Sequence, residues 1–149
     1  MTLWTCKYFS ELTNIELYKI LQLRNEVFIV EQNCAYQDCD DYDSKAYHLA
    51  AWDHDKLVAY TRLFGEGVFY PNAASIGRVL TSPSFRGKSL GKQLMTNSIA
   101  EVYHLFGNVP IKIGAQLYLK RFYESFSFVQ SGDIYLEDGI EHIAMIKSC

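Results

Sequence analysis

Ile76-Gly77-Arg78-Val79-Leu80-Thr81-Ser82-Pro83-Ser84-Phe85-Arg86-Gly87-Lys88-Ser89-Leu90-Gly91 has the residue types of an anion site. A strand-like run ends at a proline, a short glycine-bearing loop follows, and a long apolar-periodic segment begins. The first N–H groups of a helix lack intrahelical acceptors, the macrodipole adds partial positive charge there, and glycines let a phosphate reach the main chain. A pyrophosphate-bearing cofactor is therefore the first expectation. Gly87-Lys88-Ser89 imitates the end of a P-loop, but that loop requires a glycine where this chain has Ser82, followed by the stiff Pro83. A dinucleotide fingerprint needs G-x-G-x-x-G and a later acidic residue, and this loop has only Gly87 and Gly91. Taken alone, a glycine loop before a helix often binds nothing.

The remaining pattern, R-G-x-x-x-G after a strand ending in x-P, resembles the acetyl-CoA pyrophosphate loop of the GNAT N-acetyltransferases, with Ser89 at the usual middle glycine. Further on, Ile111-Lys112-Ile113-Gly114-Ala115-Gln116 precedes Phe122-Tyr123-Glu124-Ser125-Phe126-Ser127-Phe128. The latter resembles the family's F-Y-x-x-x-G-F, with Ser127 at the glycine. Leu23 to Gln32, Cys34 to Asp40, His48-Leu49, Tyr60 to Leu63, Ile76 to Val79 and Asp138 to His142 are similar to the ElaA branch of that superfamily, in order and nearly end to end.

The resemblance implies an α+β fold, a GNAT-like mixed and mostly antiparallel central sheet flanked by helices, in one domain over residues 1–149. It implies acetyl-CoA as co-substrate and direct transfer of its acetyl group to a primary amine of a small molecule or peptide. Main-chain groups of Arg86, Gly87, Lys88, Ser89, Leu90 and Gly91 would hold the pyrophosphate, with the Arg86 and Lys88 side chains adding charge. Val79, Leu80 and Thr81 would line the acetyl-pantetheine arm, one amide stabilising the carbonyl oxygen as it gains charge. Tyr123 is the candidate acid for the departing thiolate, against a plain core tyrosine on an amphipathic helix. Glu31 and His142 are the candidate bases; His titrates near neutrality unaided, whereas Glu31 needs a raised pKa or a relaying water. A non-catalytic acyl-CoA-binding or regulatory module is the alternative, with Ser89 and Ser127 as marks of drift.

Elements that would position these residues follow from periodicity. Trp4 to Phe9 alternates like a strand, and Thr13-Asn14-Ile15-Glu16 is a capping box. Leu17, Ile20, Leu21, Arg24, Val27 and Phe28 then predict a helix to about residue 30, followed by an acidic loop over 33–45. Tyr47 to Trp52 and Leu57 to Phe64 form a hairpin pair, and Ala74 to Thr81 the next strand. Leu90, Leu94, Met95, Ile99, Val102 and Phe106 make a helical stripe stopped at Gly107. Val109 to Ala115 reads as a strand, Tyr118 to Ser125 as a helix, and Val129 to Leu136 with Ile140 to Ile146 as a closing pair around Glu137-Asp138-Gly139. Arg62 and Arg78 stand in apolar strands, so they either pair internally with Asp38, Asp40 or Glu31 or hold an anionic acceptor group.

Composition narrows the class. Of 149 residues, 49% are hydrophobic and 15% aromatic, enough for one core and too many for disorder. A net charge of -3 with dispersed lysines and arginines argues against nucleic acid as partner. The chain shows no membrane-length apolar run and no signal-peptide layout at Met1-Thr2-Leu3-Trp4, so a cytoplasmic monomer or homodimer is expected. Cys6, Cys34, Cys39 and Cys149 are read as reduced thiols. The Asp38-x-Asp40 run fits neither a zinc pattern nor an EF-hand, so no metal is expected.

Overall fold

The computed structural model describes residues 2–87 and 89–149; Lys88, named above for the cofactor loop, lies outside them. Seven strands form one sheet: β1 (Thr2–Tyr8), β2 (Tyr47–Asp53), β3 (Lys56–Phe64), β4 (Ala74–Thr81), β5 (Ile111–Gln116), β6 (Val129–Glu137) and β7 (Ile140–Lys147). Their spatial order is β1-β2-β3-β4-β5-β7-β6. Every neighbouring pair is antiparallel except β4 and β5, which are parallel.

Three α-helices, α1 (Asn14–Arg24), α2 (Leu90–Phe106) and α3 (Lys120–Glu124), join this sheet. The capping box forms as its residue types require: Glu16 N–H donates to Thr13 Oγ1 at 3.1 Å, and Thr13 N–H donates to Glu16 Oε1 at 2.8 Å. The helix does not stay α-helical to residue 30. From Asn25 to Glu31 it widens into a π-helix, with Gln32 N–H bonded to Val27 O and Cys34 N–H to Ile29 O. Its buried face also differs from the predicted stripe. Ile20, Leu23, Arg24 and Val27 are buried, whereas Leu17 and Leu21 are only half-buried. Arg24, part of the predicted stripe, is held inward by Asp38 and Asp43, and Leu23 is buried beside it in place of Leu17 and Leu21.

The main core lies between α2 and the sheet, where Leu94, Met95 and Val102 meet Leu63, Ile76, Ile113 and Met145. Burying such aliphatic side chains contributes about 1.5–3 kcal/mol each. A smaller core of Ile20, Leu23, Val27, Tyr60 and Leu80 seats α1 on the other face. The helix expected at Tyr118 to Ser125 is shorter: a 3-10 turn at Leu117–Leu119 leads into α3. Tyr118 is correspondingly exposed.

Two irregularities open the sheet. β4 and β5 pair only at Ala74 with Ile111 and Ser75 with Lys112, and beyond these points they part. β4 also carries a bulge: Tyr60 faces Leu80 but Arg62 faces Gly77, so β4 holds one residue more than β3 over this span. Arg78, within the bulge, takes the left-handed φ of 49°. Ion pairs from Arg78 to Asp38 and Asp40 hold this strained backbone in place.

Candidate active site

The divergence of β4 and β5 opens a cleft of about 830 Å³. Arg86 and its bonded partner Glu31 line it together, Gly91 lies beside Phe122, and Tyr135, Glu137 and His142 of β6 and β7 line it with Tyr70. Of the residues singled out in the sequence, Val79, Leu80, Thr81, Arg86, Gly91, Tyr123, Glu31 and His142 all line it. Gly87, Ser89 and Leu90 stand on the adjoining loop and helix start, outside the lining.

The loop end fits a pyrophosphate-bearing cofactor. Among the described residues, the hydrogen bond at the start of α2 runs from Gln93 N–H to Ser89 O, and the amides of a helix's first turn have no acceptor within their own helix. A Cβ built on Gly91 would meet nothing nearer than a Phe122 ring atom at 3.9 Å, and one on Gly87 nothing within 4 Å. Main chain is thus open to approach at both glycines. Ser89 has φ 58° and ψ 16°, a left-handed conformation, and caps no helix amide with its side chain. Ser127 has φ 72°. Both serines keep a backbone that suits the glycine they replace.

Tyr123 is buried, packs edge-on against Phe128 at 6.1 Å between ring centroids, and still reaches the cleft. Burial, with a smaller contribution from Tyr118, pushes its phenol well above the ordinary value near 10. The hydroxyl stays protonated throughout the physiological range. Phe122, beside it, turns towards Gly91 and the loop, so the adjacent rings serve different stretches of the cleft.

His142 lies on β7 opposite Gln116 of β5. Its Nδ1 is 2.8 Å from Ile140 O; a carbonyl only accepts, so Nδ1 carries the proton and Nε2 of the neutral ring holds the lone pair. Glu137 Oε2 is 3.6 Å from Nε2. Glu31 is placed otherwise. At the end of the π-helical segment it forms a two-pronged bridge to Arg86, and that guanidinium holds its carboxyl below the usual range. This is opposite to the shift a carboxylate base requires.

Arg62 and Arg78 pair internally. Arg62 bonds Asp40 at 2.6 and 2.8 Å and Asp43 at 3.0 Å, while Arg24 bonds Asp38 and Asp43 at 2.7 Å each. Arg78 Nη2 donates to Asp38 O at 2.9 Å; its Nε is 2.8 Å from Asp38 Oδ1 but outside hydrogen-bond geometry. Asp38 and Asp40, weighed as metal ligands in the sequence, are thus occupied by arginines, and all four cysteines are free. No helix among the described residues is long and apolar enough to cross a membrane.

Sequence reasoning did not single out Tyr70, Tyr135 or Glu137. They come from an irregular loop and an exposed edge strand, where no periodicity marks a site; Tyr135 and Glu137 are placed by the pairing of β6 with β7, and the Tyr70 hydroxyl joins Tyr135 over Gly114.

Residues 16–149 match the family model for the acetyltransferase (GNAT) domain. The chain belongs to the GNAT family. This acetyltransferase domain is 42% identical over 147 residues to protein ElaA of Escherichia coli, spanning 97% of this chain and 95% of that one. The crystal structure of ElaA superposes with a TM-score of 0.92 at 40% identity, over 99% of this chain and all of ElaA. An acyl-CoA N-acyltransferase from Pseudomonas aeruginosa gives a TM-score of 0.95 at 41% identity, again over 99% and 100% of the two chains. A GNAT family acetyltransferase from Elizabethkingia anophelis with acetyl-CoA bound shares the fold alone, at 14% identity, a TM-score of 0.67 and 99% and 98% coverage. The GNAT assignment agrees with the mixed, mostly antiparallel sheet that the resemblance implied, and makes this protein an acyltransferase.

Proposed function

We propose that this acyltransferase moves an acetyl group from acetyl-CoA directly to the primary amine of a small molecule or peptide. The observation that carries the reading is the single cleft that runs from the open main chain at Gly91, past the bulged β4 and the buried Tyr123, to the Nε2 lone pair of His142. Donor loop, acid and base thereby share one continuous space. Direct transfer requires that proximity, because holding both reactants in one site replaces a bimolecular encounter.

Acetyl-CoA, when bound, supplies a thioester whose acetyl carbon is the electrophile. The loop amides of Arg86 to Gly91 bind its diphosphate. A main-chain N–H in Val79, Leu80 or Thr81 donates to the carbonyl oxygen as charge develops there. His142 Nε2 takes the proton released as the amine nitrogen forms its bond to carbon. Tyr123, kept as the phenol by burial, gives its proton to the sulfur as the carbon–sulfur bond breaks, and the proton that His142 took up restores the phenol before the next turnover. Glu31 is a weaker candidate for the base, since its bridge to Arg86 lowers its basicity.

The non-catalytic alternative rested on Ser89 and Ser127. Their left-handed backbones support retention of the loop geometry despite the altered side chains. Release of free CoA thiol from acetyl-CoA, measured over a panel of primary amines, tests the reading. Amine-dependent release at a saturable rate is expected. Tight acetyl-CoA binding with no release for any amine would overturn it.

A further inference from the structure

Charge around the acceptor half of the cleft cancels in pairs except at one end. Arg24, Arg62 and Arg78 are matched by Asp38, Asp40 and Asp43, and Arg86 by Glu31. Glu137 and Asp138 also line the cleft, yet among the described residues neither forms an ion pair with a lysine or arginine. Glu137 meets only His142 Nε2, at 3.6 Å, in a ring that is more than nine-tenths buried and whose Nε2 has no hydrogen bond.

Two phenols stand beside this carboxylate. A Cβ built on Gly114 would lie 3.0 Å from Tyr135 Oη and 3.7 Å from Tyr70 Oη, so both oxygens converge on β5 after it has left β4. Burial, then the charges of Tyr135 and Glu137, push Tyr70 up to about 12, and burial with Glu137 raises Tyr135. Both phenols therefore stay neutral in an electron-rich corner. The Tyr70 ring already attracts one cation from outside the cleft: Lys112 Nζ, which does not line it, sits 4.8 Å from the Tyr70 centroid. His142 stacks on Tyr135 at 5.8 Å.

We propose that the acceptor is an aliphatic amine bearing a second ammonium group, and that Glu137, with the Tyr70 and Tyr135 phenols around Gly114, receives that second charge. The inference rests on the acetyl-transfer reading of the same cleft. The attacking nitrogen must be neutral to use its lone pair, so it cannot also neutralise Glu137. A second cation on the same molecule does both. An anionic acceptor finds no unpaired guanidinium, because Arg62 and Arg78 are already ion-paired with aspartates. A charge-assisted contact of this kind is strong enough to dominate selection among amines of equal length.

The test compares kcat/KM for pentane-1,5-diamine, pentylamine and 5-aminopentanoate, read as CoA thiol release from acetyl-CoA. The expected order is diamine above monoamine above amino acid, with about tenfold or more at each step. Glu137→Gln should bring the diamine-to-monoamine ratio to within about twofold, while calorimetric affinity for acetyl-CoA stays near that of the parent chain. If that variant fails to fold, the ratio in the parent chain decides alone. Equal kcat/KM for diamine and monoamine, or preference for the amino acid, overturns the inference and leaves acetyl transfer standing. No release with any amine overturns both.

Discussion

Arg86 and Glu31 hold each other across the mouth of the cleft, Nη1 to Oε2 at 2.6 Å and Nη2 to Oε1 at 2.7 Å. One belongs to the cofactor loop and the other to the π-helical end of the first helix, so the bridge ties the two sides of the site together. Both side chains remain substantially exposed, which limits an isolated pair to about 1 kcal/mol. Its consequence is competitive. A phosphate drawing on Arg86 must first share it with Glu31. Glu31→Gln should therefore tighten acetyl-CoA by up to about fivefold in a calorimetric titration, and leave kcat within about threefold. A collapse of kcat instead would make Glu31 the base.

Ser89 and Ser127 occupy backbone conformations that cost a residue with a Cβ about 1–2 kcal/mol. Glycine relieves this but loses more chain entropy on folding, which offsets about 0.5–1 kcal/mol. Each of Ser89→Gly and Ser127→Gly should thus stabilise by about 0.5–1 kcal/mol, raising Tm by about 1–4 °C. Ser89→Gly should also tighten acetyl-CoA modestly, since the loop relaxes into its binding shape. Calorimetric melting shows the first effect; a fall in Tm for Ser89→Gly would contradict the left-handed loop.

Tyr123→Phe keeps the ring that packs on Phe128 and removes only the proton donor. Turnover should drop by roughly 10²-fold or more where chemistry limits the rate, with acetyl-CoA affinity nearly unchanged. Because burial lifts this phenol well above its ordinary value, no loss of activity from its ionisation is expected on the alkaline side of neutrality. Full activity in the phenylalanine variant would exclude Tyr123 from the proton transfer.

Burial by itself raises the Asp40 carboxyl; the hydrogen bonds and charge of Arg62, helped by Tyr42 N–H and Arg78, more than reverse this and hold it at about 2. A carboxyl lowered from its ordinary 3.8 contributes stability that is complete above about pH 4 and lost as pH falls towards about 2. Asp40→Asn should cost about 2 kcal/mol at pH 7, less than breaking a fully isolated buried pair because Asp43 still holds Arg62. The difference from the parent chain should shrink steadily between pH 4 and pH 2. Urea unfolding midpoints across that range measure it, and a pH-independent difference would point to packing as the cause.

Element order, the capping box at Thr13 and the loop at Arg86 to Gly91 were legible in the sequence because each depends on neighbours a few residues apart. Alternation, helical spacing, a proline stop and a glycine loop act locally, and the family resemblance joined them into one fold. The pairing of Arg24, Arg62 and Arg78 with three aspartates, the Glu31–Arg86 bridge and the meeting of Tyr70, Tyr135 and Glu137 were decided only by the tertiary structure. Each joins segments far apart along the chain, and which partner wins depends on geometry that composition does not encode. The bulge at Arg78 is the clearest instance: one extra residue in β4, invisible to any period, turns an arginine towards its aspartates and opens the strand edge on which the chemistry depends.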